Sequence, residues 1–571
     1  MKKTTAAILV AAGIAILGLP QILSADSARD ARLMRNLETF SSIVRQVETS
    51  YVDTIDTDKA FNAAISGYLM DLDPYTEYFT EQETKDFSNQ TQGEYAGIGS
   101  YIMKRGDYVV LTGPYANSPA RLAGLRAGDK IARVDTTDAK GMSVDEVKKH
   151  LMGPAGTKVQ LSVIRPHTQD SVIEVTVERR KVNLPSVSYS GEARPGIGYI
   201  KIDSYMEKTG HEVEKALEKF ASDPNIKGVV LDLRGNGGGL LNAAIDVLCN
   251  FLPKGTEVLR TRGNENVGER VYRTSKAPLM ADMPLAVLID GGSASASEVT
   301  AGALQDLDRA VLVGNRSFGK GLVQSTLQLP YNAMVKVTTA RYYIPSGRLI
   351  QALDYSKRDE QGNAIHRPDS LANVFLTKAG REVRDGGGLS PDVKVTDFKV
   401  NSLLYDLVNQ QVVFDYSVKY AAEHPAIPAP EDFEVTDSIY ADFCAFASKA
   451  PLKRSRNLDK FFNNLRDNLK DEGQLTPEVQ SHINLLDSLL QPDLSVELDS
   501  LRSRISYYLG PEIVSRYYFA EGETRNTIRS DEALDTATEI LLDPKRYKEL
   551  LTAPSKAESR MKAPVRSGAK K

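Results

Sequence analysis

The chain is poor in the residues that build most metal and thiol sites. Its 571 residues include no tryptophan, two cysteines and six histidines, and no histidine lies between His211 and His366. Neither a zinc-type spacing of cysteine and histidine nor a His-Glu-x-x-His motif occurs, so a metal site has no support. No cofactor is implied either. A net charge of −4 gives no electrostatic footprint for nucleic acid.

The two cysteines are too few to predict a disulfide framework. A chain of this length buries a large core and needs no disulfides even when it is exported. Cys249 falls on the apolar side of a helical pattern with Leu241, Ile245 and Leu248. This pattern favours a buried free thiol, and a bridge to Cys444 is the alternative.

Long hydrophobic runs are also missing, apart from one short run near the N-terminus. Lys2 and Lys3 precede an apolar stretch at 6–19, and residues 23–25 offer a cleavage site. This arrangement is typical of a secretory signal peptide. With about 14 residues, the stretch is short for a membrane span. We therefore expect export to the periplasm of a bacterium, whereas an uncleaved signal would associate the protein with the inner membrane.

The rest of the chain changes in character several times. Apolar residues recur at helical spacing between Leu33 and Tyr51, and a second helical pattern at 60–70 ends at the breaker 71–74. These helices would form a dimerisation arm or pack on the catalytic domain of their own chain. Short strands and turns follow from residue 93, alternating strands and helices from about 196, and helices beyond about 400.

The most informative segment joins a strand-like stretch at 285–289 to a helix-like stretch at 296–307 through a turn of glycine and serine. Such a turn places small hydroxyl groups at a helix N-terminus, where N–H groups and the helix dipole stabilise a developing anion. Lys320 lies 25 residues beyond Ser295 in a glycine-flanked turn. Because this stretch lacks histidine, a base supplied by it must be Lys320, which gives the Ser–Lys variant of a catalytic triad.

Three motifs resemble those of the carboxyl-terminal processing (tail-specific) serine peptidases. They are Ser-Ala-Ser-Ala-Ser-Glu at 293–298, Gly-Lys-Gly at 319–321 and Tyr-Tyr-Ile-Pro-Ser-Gly-Arg at 342–348, within a likeness that runs from about 37 to 395. The resemblance implies an α/β peptidase core with the spiral fold shared by Clp protease and crotonase-like enzymes. It also implies an inserted mostly-β PDZ domain, N-terminal helices and a C-terminal α-helical extension.

Three serines of the turn, Ser293, Ser295 and Ser297, compete for the role of nucleophile. Ser295 also stands at capping-box distance from Glu298, so spacing alone allows it to be a helix cap. The resemblance assigns the nucleophile to Ser295, the middle serine.

Lys320 must be neutral to accept the serine proton. The surrounding residues 317–323 contain no acid, and burial away from carboxylates lowers a lysine pKa. Gln324 lies on the same side of the segment whether it is helical or extended, and the resemblance gives this glutamine the task of orienting the amine. The stretch 314–320 also spells Gly-x-x-x-x-Gly-Lys, but a phosphate-binding loop requires Ser or Thr where Gly321 stands.

An oxyanion hole needs backbone N–H groups directed at the tetrahedral intermediate. Ala296, the residue after the nucleophile, supplies one. The resemblance takes the second from the glycine-rich turn after Leu233, at Gly237 or Gly238. Asp306 lies three helical turns beyond the nucleophile, roughly 16 Å away on a straight helix. We therefore predict a structural or supporting role for Asp306.

Residues 95–100, 118–120 and 123–129 resemble a bacterial PDZ domain. Two glycines would let successive N–H groups form a nest for a carboxylate, and the strand that follows would offer an open edge to an extended peptide. The alternative is a small β-domain used only as a scaffold. The predicted contacts of a peptide C-terminus are Gly97, Ile98, Gly99 and Ser100.

The predicted organisation has six parts. They are a signal peptide (1–25), an N-terminal helical segment (26–92), a PDZ domain (93–182), a serine peptidase core (183–400), a helical C-terminal extension (401–555) and a basic disordered tail (556–571). We expect an exported serine endopeptidase that recognises unstructured protein C-termini and cleaves peptide bonds through an acyl-enzyme. The helical extension would mediate a homo-oligomer, bind an adaptor or extend the substrate cradle. The alternatives are a catalytically inert PDZ scaffold and a crotonase-like acyl-thioester enzyme, which has no use for a Ser–Lys pair.

Overall fold

The computed structural model describes residues 27–168, 172–395, 401–453, 457–490 and 493–553. The predicted signal peptide and the predicted basic tail lie outside these residues. The chain forms two compact units, one up to Tyr78 and one from Phe79 onwards. Among the described residues, no helix combines the length and the apolar character needed to cross a membrane.

Two helices make up most of the described part of the first unit, α1 (Ser27–Ser50) and α2 (Thr57–Met70). The Asp56 side chain caps α2 by accepting the Lys59 N–H, and α2 ends at the predicted breaker. Both predicted helices are confirmed, while their role as a dimerisation arm stays a prediction. A short strand, β1 (Glu77–Phe79), follows, and the second unit continues with α3 (Glu81–Gln92) and β2 (Glu94–Gly97).

A six-stranded antiparallel sheet, with five strands in a row and a short sixth strand paired to one of them, forms the body of the predicted PDZ domain. Its elements are β3 (Ser100–Arg105), β4 (Tyr108–Pro114), α4 (Pro119–Leu122), β5 (Lys130–Val134), β6 (Thr137–Asp138), α5 (Val144–Leu151), β7 (Lys158–Ile164) and β8 (Val172–Glu178). The order is β3-β4-β5-β7-β8, so β3 lies at an edge of the sheet within the described residues. The sheet and α5 enclose a separate hydrophobic core. The next strand, β9 (Arg180–Asn183), pairs with β2 where the chain enters and leaves the domain.

The α/β core follows. Its elements are β10 (Val187–Arg194), β11 (Ile197–Ile202), α6 (Thr209–Ser222), β12 (Gly228–Asp232), α7 (Leu241–Leu248), β13 (Glu257–Gly263), β14 (Glu269–Arg273), β15 (Leu285–Ile289), α8 (Ala296–Asp306), β16 (Val311–Gly314), β17 (Leu322–Gln328), β18 (Met334–Tyr343), β19 (Leu353–Arg358), β20 (Ala364–His366), β21 (Val374–Leu376), β22 (Glu382–Arg384) and β23 (Val393–Lys394).

The central sheet has the order β10-β11-β12-β15-β16-β23. Its strands pair in parallel, except that β10 pairs with β11 in antiparallel fashion. Every residue of β12 and β15 is buried, because helices cover both faces and such strands become continuous apolar runs. A second, antiparallel sheet contains β14, β13, β18 and β17 in that order. The carboxyl ends of β12 and β15, together with the start of β17, surround the candidate site.

The C-terminal region is helical, as predicted. Its helices are α9 (Ser402–Asn409), α10 (Val412–Glu423), α11 (Asp437–Ala447), α12 (Asn457–Asp471), α13 (Pro477–Leu489), α14 (Leu494–Ser500), α15 (Arg502–Thr527), α16 (Glu532–Leu542) and α17 (Pro544–Leu550). Five of them, α9, α10, α11, α14 and α15, share a hydrophobic core of their own. By contrast, α16 packs on the central sheet, with Leu534, Ala537 and Ile540 buried against the strands. The helical region therefore supplies one of the layers that bury the α/β core.

The PDZ domain rests on this helical region. Arg105 forms an ion pair with Asp415 of α10, and Arg516 of α15 donates to the Thr112 carbonyl oxygen at 2.7 Å. A Cβ atom at Gly128 would lie 2.6 Å from Val418. The two surfaces are therefore in direct contact.

Candidate active site

A strained turn presents Ser295 between the end of β15 and the start of α8. Its backbone has φ 57° and ψ −114°, unlike the extended dihedrals of an ordinary N-cap. Positive φ is uncommon outside glycine and marks a position that the surrounding structure holds in place. Sharp strand-to-helix turns of this kind expose a nucleophilic serine in other hydrolase folds.

The structure distinguishes the three serines of the turn. Ser293 and Ser297 are fully buried. Their hydroxyl groups donate to the carbonyl oxygens of Leu233 at 2.8 Å and Asn236 at 2.9 Å. Ser295 alone among the three is not buried. The outer two serines thus fasten the turn to the glycine-rich segment, and only Ser295 is accessible to a substrate.

The glycine-rich turn lies directly against this serine. A Cβ atom at Gly238 would be 2.8 Å from the Ser295 Cβ and 2.9 Å from the Ala296 nitrogen. Ala296 begins α8, so its N–H is one of the donors that a helix start leaves without an intrahelical partner. The structure therefore brings the predicted oxyanion residues together.

The two glycine candidates differ in their hydrogen bonding. The Gly238 N–H donates to Oδ1 of Asn236 at 2.9 Å. Gly237 is exposed, a Cβ atom there would meet open space, and its N–H has no acceptor within the described part of the chain. The geometry thus favours Gly237 as the second oxyanion donor, although the assignment stays a prediction.

A buried carboxylate joins the segments of the two predicted catalytic residues. Oε2 of Glu298 accepts the N–H groups of Ser295 and Lys320, each at 2.9 Å. Oε1 accepts the Ser317 hydroxyl at 2.5 Å and the Gly319 N–H at 2.7 Å. Burial raises the pKa of Glu298 to about 7, against the four hydrogen bonds that lower it. Glu298 thereby holds both backbones in one arrangement.

Tyr342 connects the same two segments through their carbonyl groups. Its hydroxyl donates to the Lys320 carbonyl oxygen at 2.6 Å, with the Ser295 carbonyl oxygen 3.3 Å away. The side chain is almost completely buried. Ser295 and Lys320 are therefore fixed relative to each other at both their N–H and their C=O groups.

An acid approaches the backbone of Lys320 from elsewhere in the chain. The neighbouring sequence contains none, but the fold brings the Glu298 carboxylate to the Lys320 backbone. The Ser295-x-x-Glu298 spacing is the sequence signal for this carboxylate, but the same spacing also fits an ordinary capping box. Because burial keeps the Glu298 pKa near neutrality, this acid carries less negative charge than an exposed glutamate at the same pH.

Gln324 lies on β17, next to a register shift between Val323 and Gln324. Its Nε2 donates to the Thr338 hydroxyl at 3.1 Å. The extra residue of this β-bulge, Thr339, lies on the partner strand β18, so the alternation of side chains along β17 is kept. Lys320 itself precedes β17. Orientation of the amine by Gln324 stays a prediction.

Asp306 has a structural partner. Its Oδ1 accepts from Arg348 at 2.7 Å, and both side chains are essentially inaccessible. Its Oδ2 accepts the Ser346 N–H at 2.9 Å. The predicted structural role fits this arrangement, which ties the end of α8 to the turn after β18.

The predicted peptide site in the PDZ domain lies between β2, which ends at Gly97, and β3, which begins at Ser100. Gly99 has φ 76°, and a Cβ there would lie 2.6 Å from Ser118, so glycine is required. The carbonyl oxygens of Ile98 and Gly99 accept from Ala120 and Tyr115. Ser100 then starts the edge strand β3. The position of β3 leaves room for an added strand, as predicted.

Cys249 is a buried free thiol and Cys444 is also free. The alternative of a bridge between them is therefore wrong. Within the described residues, no group of three or more histidine, cysteine, aspartate or glutamate side chains is placed to hold a metal ion.

Three family descriptions match this chain, and known proteases resemble it over most of their length. "Peptidase family S41" matches residues 196–356, "PDZ domain" matches 110–165 and "Probable PDZ-protease, C-terminal helical domain" matches 403–541. A carboxy-terminal-processing protease from Bartonella bacilliformis is 37% identical over 322 residues, which are 56% of this chain and 73% of that protein. A probable CtpA-like serine protease from Staphylococcus aureus is 31% identical over 439 residues, which are 76% of this chain and 85% of that protein. The chain belongs to the carboxy-terminal-processing protease family.

Membership in this family makes the protein a serine-type peptidase with a PDZ domain, and proteins or peptides are its substrates. The predicted fold class is confirmed, with an α/β peptidase core, an inserted PDZ domain, N-terminal helices and a helical C-terminal region. Among solved structures, the photosystem II D1 C-terminal processing protease is 29% identical to this chain. The alignment spans 62% of this chain and 85% of that protease, with a TM-score of 0.33.

Proposed function

We propose that this carboxy-terminal-processing protease is an exported endopeptidase in which Ser295 and Lys320 form the catalytic dyad. The observation that carries the proposal is the shared hydrogen bonding of the two segments through Glu298. A second support is that Ser295 is the unburied serine of its turn and lies beside two groups of backbone donors. A crotonase-like acyl-thioester enzyme has no use for this pair.

The reaction begins when Oγ of Ser295 attacks the carbonyl carbon of the scissile bond. Nζ of neutral Lys320 takes the serine proton, and the N–H groups of Ala296 and Gly237 stabilise the oxyanion. Lys320 returns the proton to the leaving amine as the bond to the first product breaks. A water molecule, deprotonated by Lys320, then hydrolyses the acyl-enzyme and regenerates Ser295.

Gln324 would hold the amine of Lys320 in this scheme. Its amide nitrogen is committed to Thr338, so the amide oxygen is the atom that would accept from Nζ. An uncharged acceptor orients the amine without the strong stabilisation of its charged form that a carboxylate gives.

The PDZ domain would supply the preference for unstructured C-termini. An extended peptide would add a strand to the edge of β3, with its terminal carboxylate in the nest at 97–100. Main-chain pairing gives affinity for any unfolded segment, while the nest requires a free terminus. The substrate class is therefore proteins with exposed, unstructured C-termini.

Export and assembly are further parts of the proposal. The basic and apolar leader supports delivery to the periplasm, with retention at the inner membrane if it stays uncleaved. Cell fractionation and the N-terminal sequence of the purified protein test this point. The helical region offers a surface for a homo-oligomer or an adaptor, which analytical ultracentrifugation with and without cell extract checks.

The test of the chemistry uses purified residues 26–571 and an unfolded protein that carries a free apolar C-terminus. We expect fragments from the wild type and none from Ser295→Ala or Lys320→Met. Ser222→Ala, on the far end of α6, is the matched control and should cleave normally. A serine-directed fluorophosphonate should label the wild type at Ser295. If neither the wild type nor Ser295→Ala cleaved the substrate or reacted with the fluorophosphonate, the result would favour the inert PDZ scaffold.

A further inference from the structure

The glycine-rich turn that follows β12 is fastened on one side by the nucleophile turn. Besides the two serine hydroxyl groups, the Ala294 N–H donates to the Asn236 carbonyl oxygen at 3.0 Å. The Gly235 N–H donates to Oδ1 of Asp290 at 2.9 Å. These contacts set the distance between the turn and Ser295. A second segment also holds the turn, because Nδ2 of Asn236 donates to the Ile202 carbonyl oxygen at 2.7 Å and the Tyr205 N–H donates to the Gly238 carbonyl oxygen at 3.0 Å.

Arg234 fastens the start of the same turn to a third part of the chain. Its Nε lies 2.9 Å from Oδ1 of Asp232, and its Nη2 lies 2.5 Å from Oδ2. Its Nη1 and Nη2 donate to the two carboxylate oxygens of Asp531 at 3.0 and 2.5 Å. The Tyr199 hydroxyl completes the group by donating to Asp232 at 2.6 Å. One guanidinium therefore bridges the end of β12 and a residue about 300 positions later in the chain.

Asp531 belongs to the helical C-terminal region. It is the N-cap of α16 and accepts the Leu534 N–H at 3.0 Å. Because α16 packs on the central sheet through its apolar face, the Asp531 carboxylate is held by a rigid element. Two-point pairing of a planar guanidinium with a carboxylate fixes orientation as well as distance.

The burial of this group shows that the contact is more than a surface ion pair. The side chains of Asp232 and Asp531 are 1% and 3% exposed, and that of Arg234 is 24% exposed. Burial alone would raise the pKa of Asp232, but the charge and hydrogen bonds of Arg234 hold it at about 2. Loss of one partner leaves the remaining charges poorly compensated in a buried site.

We propose that Asp531 is a positioning residue, which through Arg234 holds the glycine-rich turn so that the Gly237 N–H lies at the developing oxyanion. The proposal rests on the proposed function and deepens it. It gives the helical C-terminal region a part in catalysis, because the region anchors the start of the turn through Arg234. Arg234 and Asp531 touch neither the substrate nor the reacting atoms.

The test replaces Asp531 without removing the helix cap. Asp531→Asn keeps a side-chain oxygen for the Leu534 N–H, since asparagine is as good an N-cap as aspartate, but removes one of the two oxygens that Arg234 uses. The matched control is Asp543→Asn. Asp543 is the exposed N-cap of α17 and accepts the N–H groups of Lys545 and Arg546 at 3.0 and 3.1 Å.

Both variants are compared with the wild type on a fluorogenic peptide that has a free apolar C-terminus. The kcat of each variant is calculated per active site titrated with a fluorophosphonate. We expect kcat of Asp531→Asn to fall by about tenfold, which is less than the loss seen when an oxyanion donor is removed outright. KM should change less than twofold, and Asp543→Asn should match the wild type. If Asp531 only stabilised the fold, its substitution would lower the number of titratable sites and leave kcat per site unchanged.

A double-mutant cycle shows whether Asp531 acts through Arg234. Arg234→Lys keeps a positive charge but cannot pair with both carboxylates, so Asp531→Asn should add little to its effect on kcat. An active wild type with equal kcat in Asp531→Asn and Asp543→Asn would overturn the inference alone. A wild type that neither cleaves the peptide nor reacts with the fluorophosphonate would overturn the proposed function and, with it, this inference.

Discussion

Glu298 accepts the backbone N–H of Lys320 with the same carboxylate oxygen that accepts the N–H of Ser295, at 2.9 Å in each case. The two residues lie on different elements, one before α8 and the other before β17. A single buried side chain thus fixes the separation of the proposed nucleophile and base. The arrangement needs an acceptor with two oxygens, because four donors converge on it.

Replacement of Glu298 by glutamine should therefore damage the site. The glutamine amide oxygen can replace one carboxylate oxygen, but the amide nitrogen replaces the other and cannot accept a hydrogen bond. Either the Gly319 N–H or the N–H groups of Ser295 and Lys320 then lose their acceptor. We expect kcat/KM on an unfolded substrate to fall by about 100-fold, which corresponds to about 2.7 kcal/mol. The measurement is kcat/KM per site titrated with a fluorophosphonate.

The matched control is Glu146→Gln, which changes the glutamate of an exposed capping box at the start of α5. This variant should retain wild-type activity. Activity of Glu298→Gln within threefold of the wild type would contradict the view that Glu298 aligns the dyad.

The raised pKa of Glu298 predicts a pH-dependent stability. The folded protein holds this proton up to about pH 7, whereas the ordinary value is 4.5. An acid whose pKa is raised by folding binds its proton more tightly in the folded state. The free energy of unfolding therefore falls as the pH rises from about 4.5 to 7, by about 3 kcal/mol in total, and then levels off.

We would measure this effect in a Ser295→Ala background, which prevents self-cleavage, by thermal unfolding between pH 5 and 8.5. As the pH rises towards 7, the Tm of the protein with Glu298 should fall relative to the Tm of the Glu298→Gln protein. A constant difference across this range would show that the Glu298 pKa is not raised.

The sequence predicted the order of domains and the strand, turn and helix around Ser295 because short-range patterns carry that information. The choice of Ser295 as the nucleophile rests on the family resemblance and stays a prediction. Strand 285–289, the serine turn and the helix after it are all local, and the structure has each of them where expected. The role of Glu298 was missed because its donors at 317–320 lie on another element. The layer formed by α16 was missed for a similar reason, since an amphipathic helix does not indicate which surface it covers.

Gly238 should be intolerant of any side chain. It has φ 99°, and a Cβ there would lie 2.7 Å from the Ala294 carbonyl oxygen and 2.8 Å from the Ser295 Cβ. Gly238→Ala must push the two turns apart, so we expect at least a 100-fold loss of kcat/KM, as for a lost oxyanion donor. Gly291→Ala is the control, because a Cβ there meets nothing within 4 Å. Wild-type activity of Gly238→Ala would mean that the turns are not in contact during catalysis.

Tyr95 should compete with the peptide for the PDZ nest. Burial raises the pKa of its phenol, while hydrogen bonds from Tyr115 and from the backbone at Ser100 and Gly99 lower it. Its ring lies beside the predicted nest, because a Cβ atom at Gly97 would be 2.9 Å from Cε2 of Tyr95. We therefore expect its hydroxyl to occupy part of the space that a peptide carboxylate would use. Tyr95→Phe should tighten binding of an apolar C-terminal peptide by about fivefold, about 1 kcal/mol for one hydrogen bond that need not be displaced.

Fluorescence anisotropy with the Ser295→Ala protein measures this binding. Tyr108→Phe, at the other end of the β3–β4 pair, should leave the affinity unchanged. Weaker binding by Tyr95→Phe would instead show that the hydroxyl contacts the peptide directly.

The buried pair of Asp306 and Arg348 should matter for folding rather than for chemistry. Asp306→Asn removes the charged acceptor of the Arg348 guanidinium and leaves neutral ones, the Gln305 amide oxygen and the Arg384 carbonyl oxygen, in a site where both side chains of the pair are at most 1% exposed. We expect the protein to lose about 3 kcal/mol of stability, as when one partner of a buried ion pair is removed. The number of titratable sites should fall at 37 °C, while kcat per remaining site stays within threefold of the wild type. Asp282→Asn, an exposed position on the loop before β15, is the control for the substitution itself. An unchanged Tm with a large loss of kcat per site would instead place Asp306 in the catalytic machinery, about three helical turns from the nucleophile.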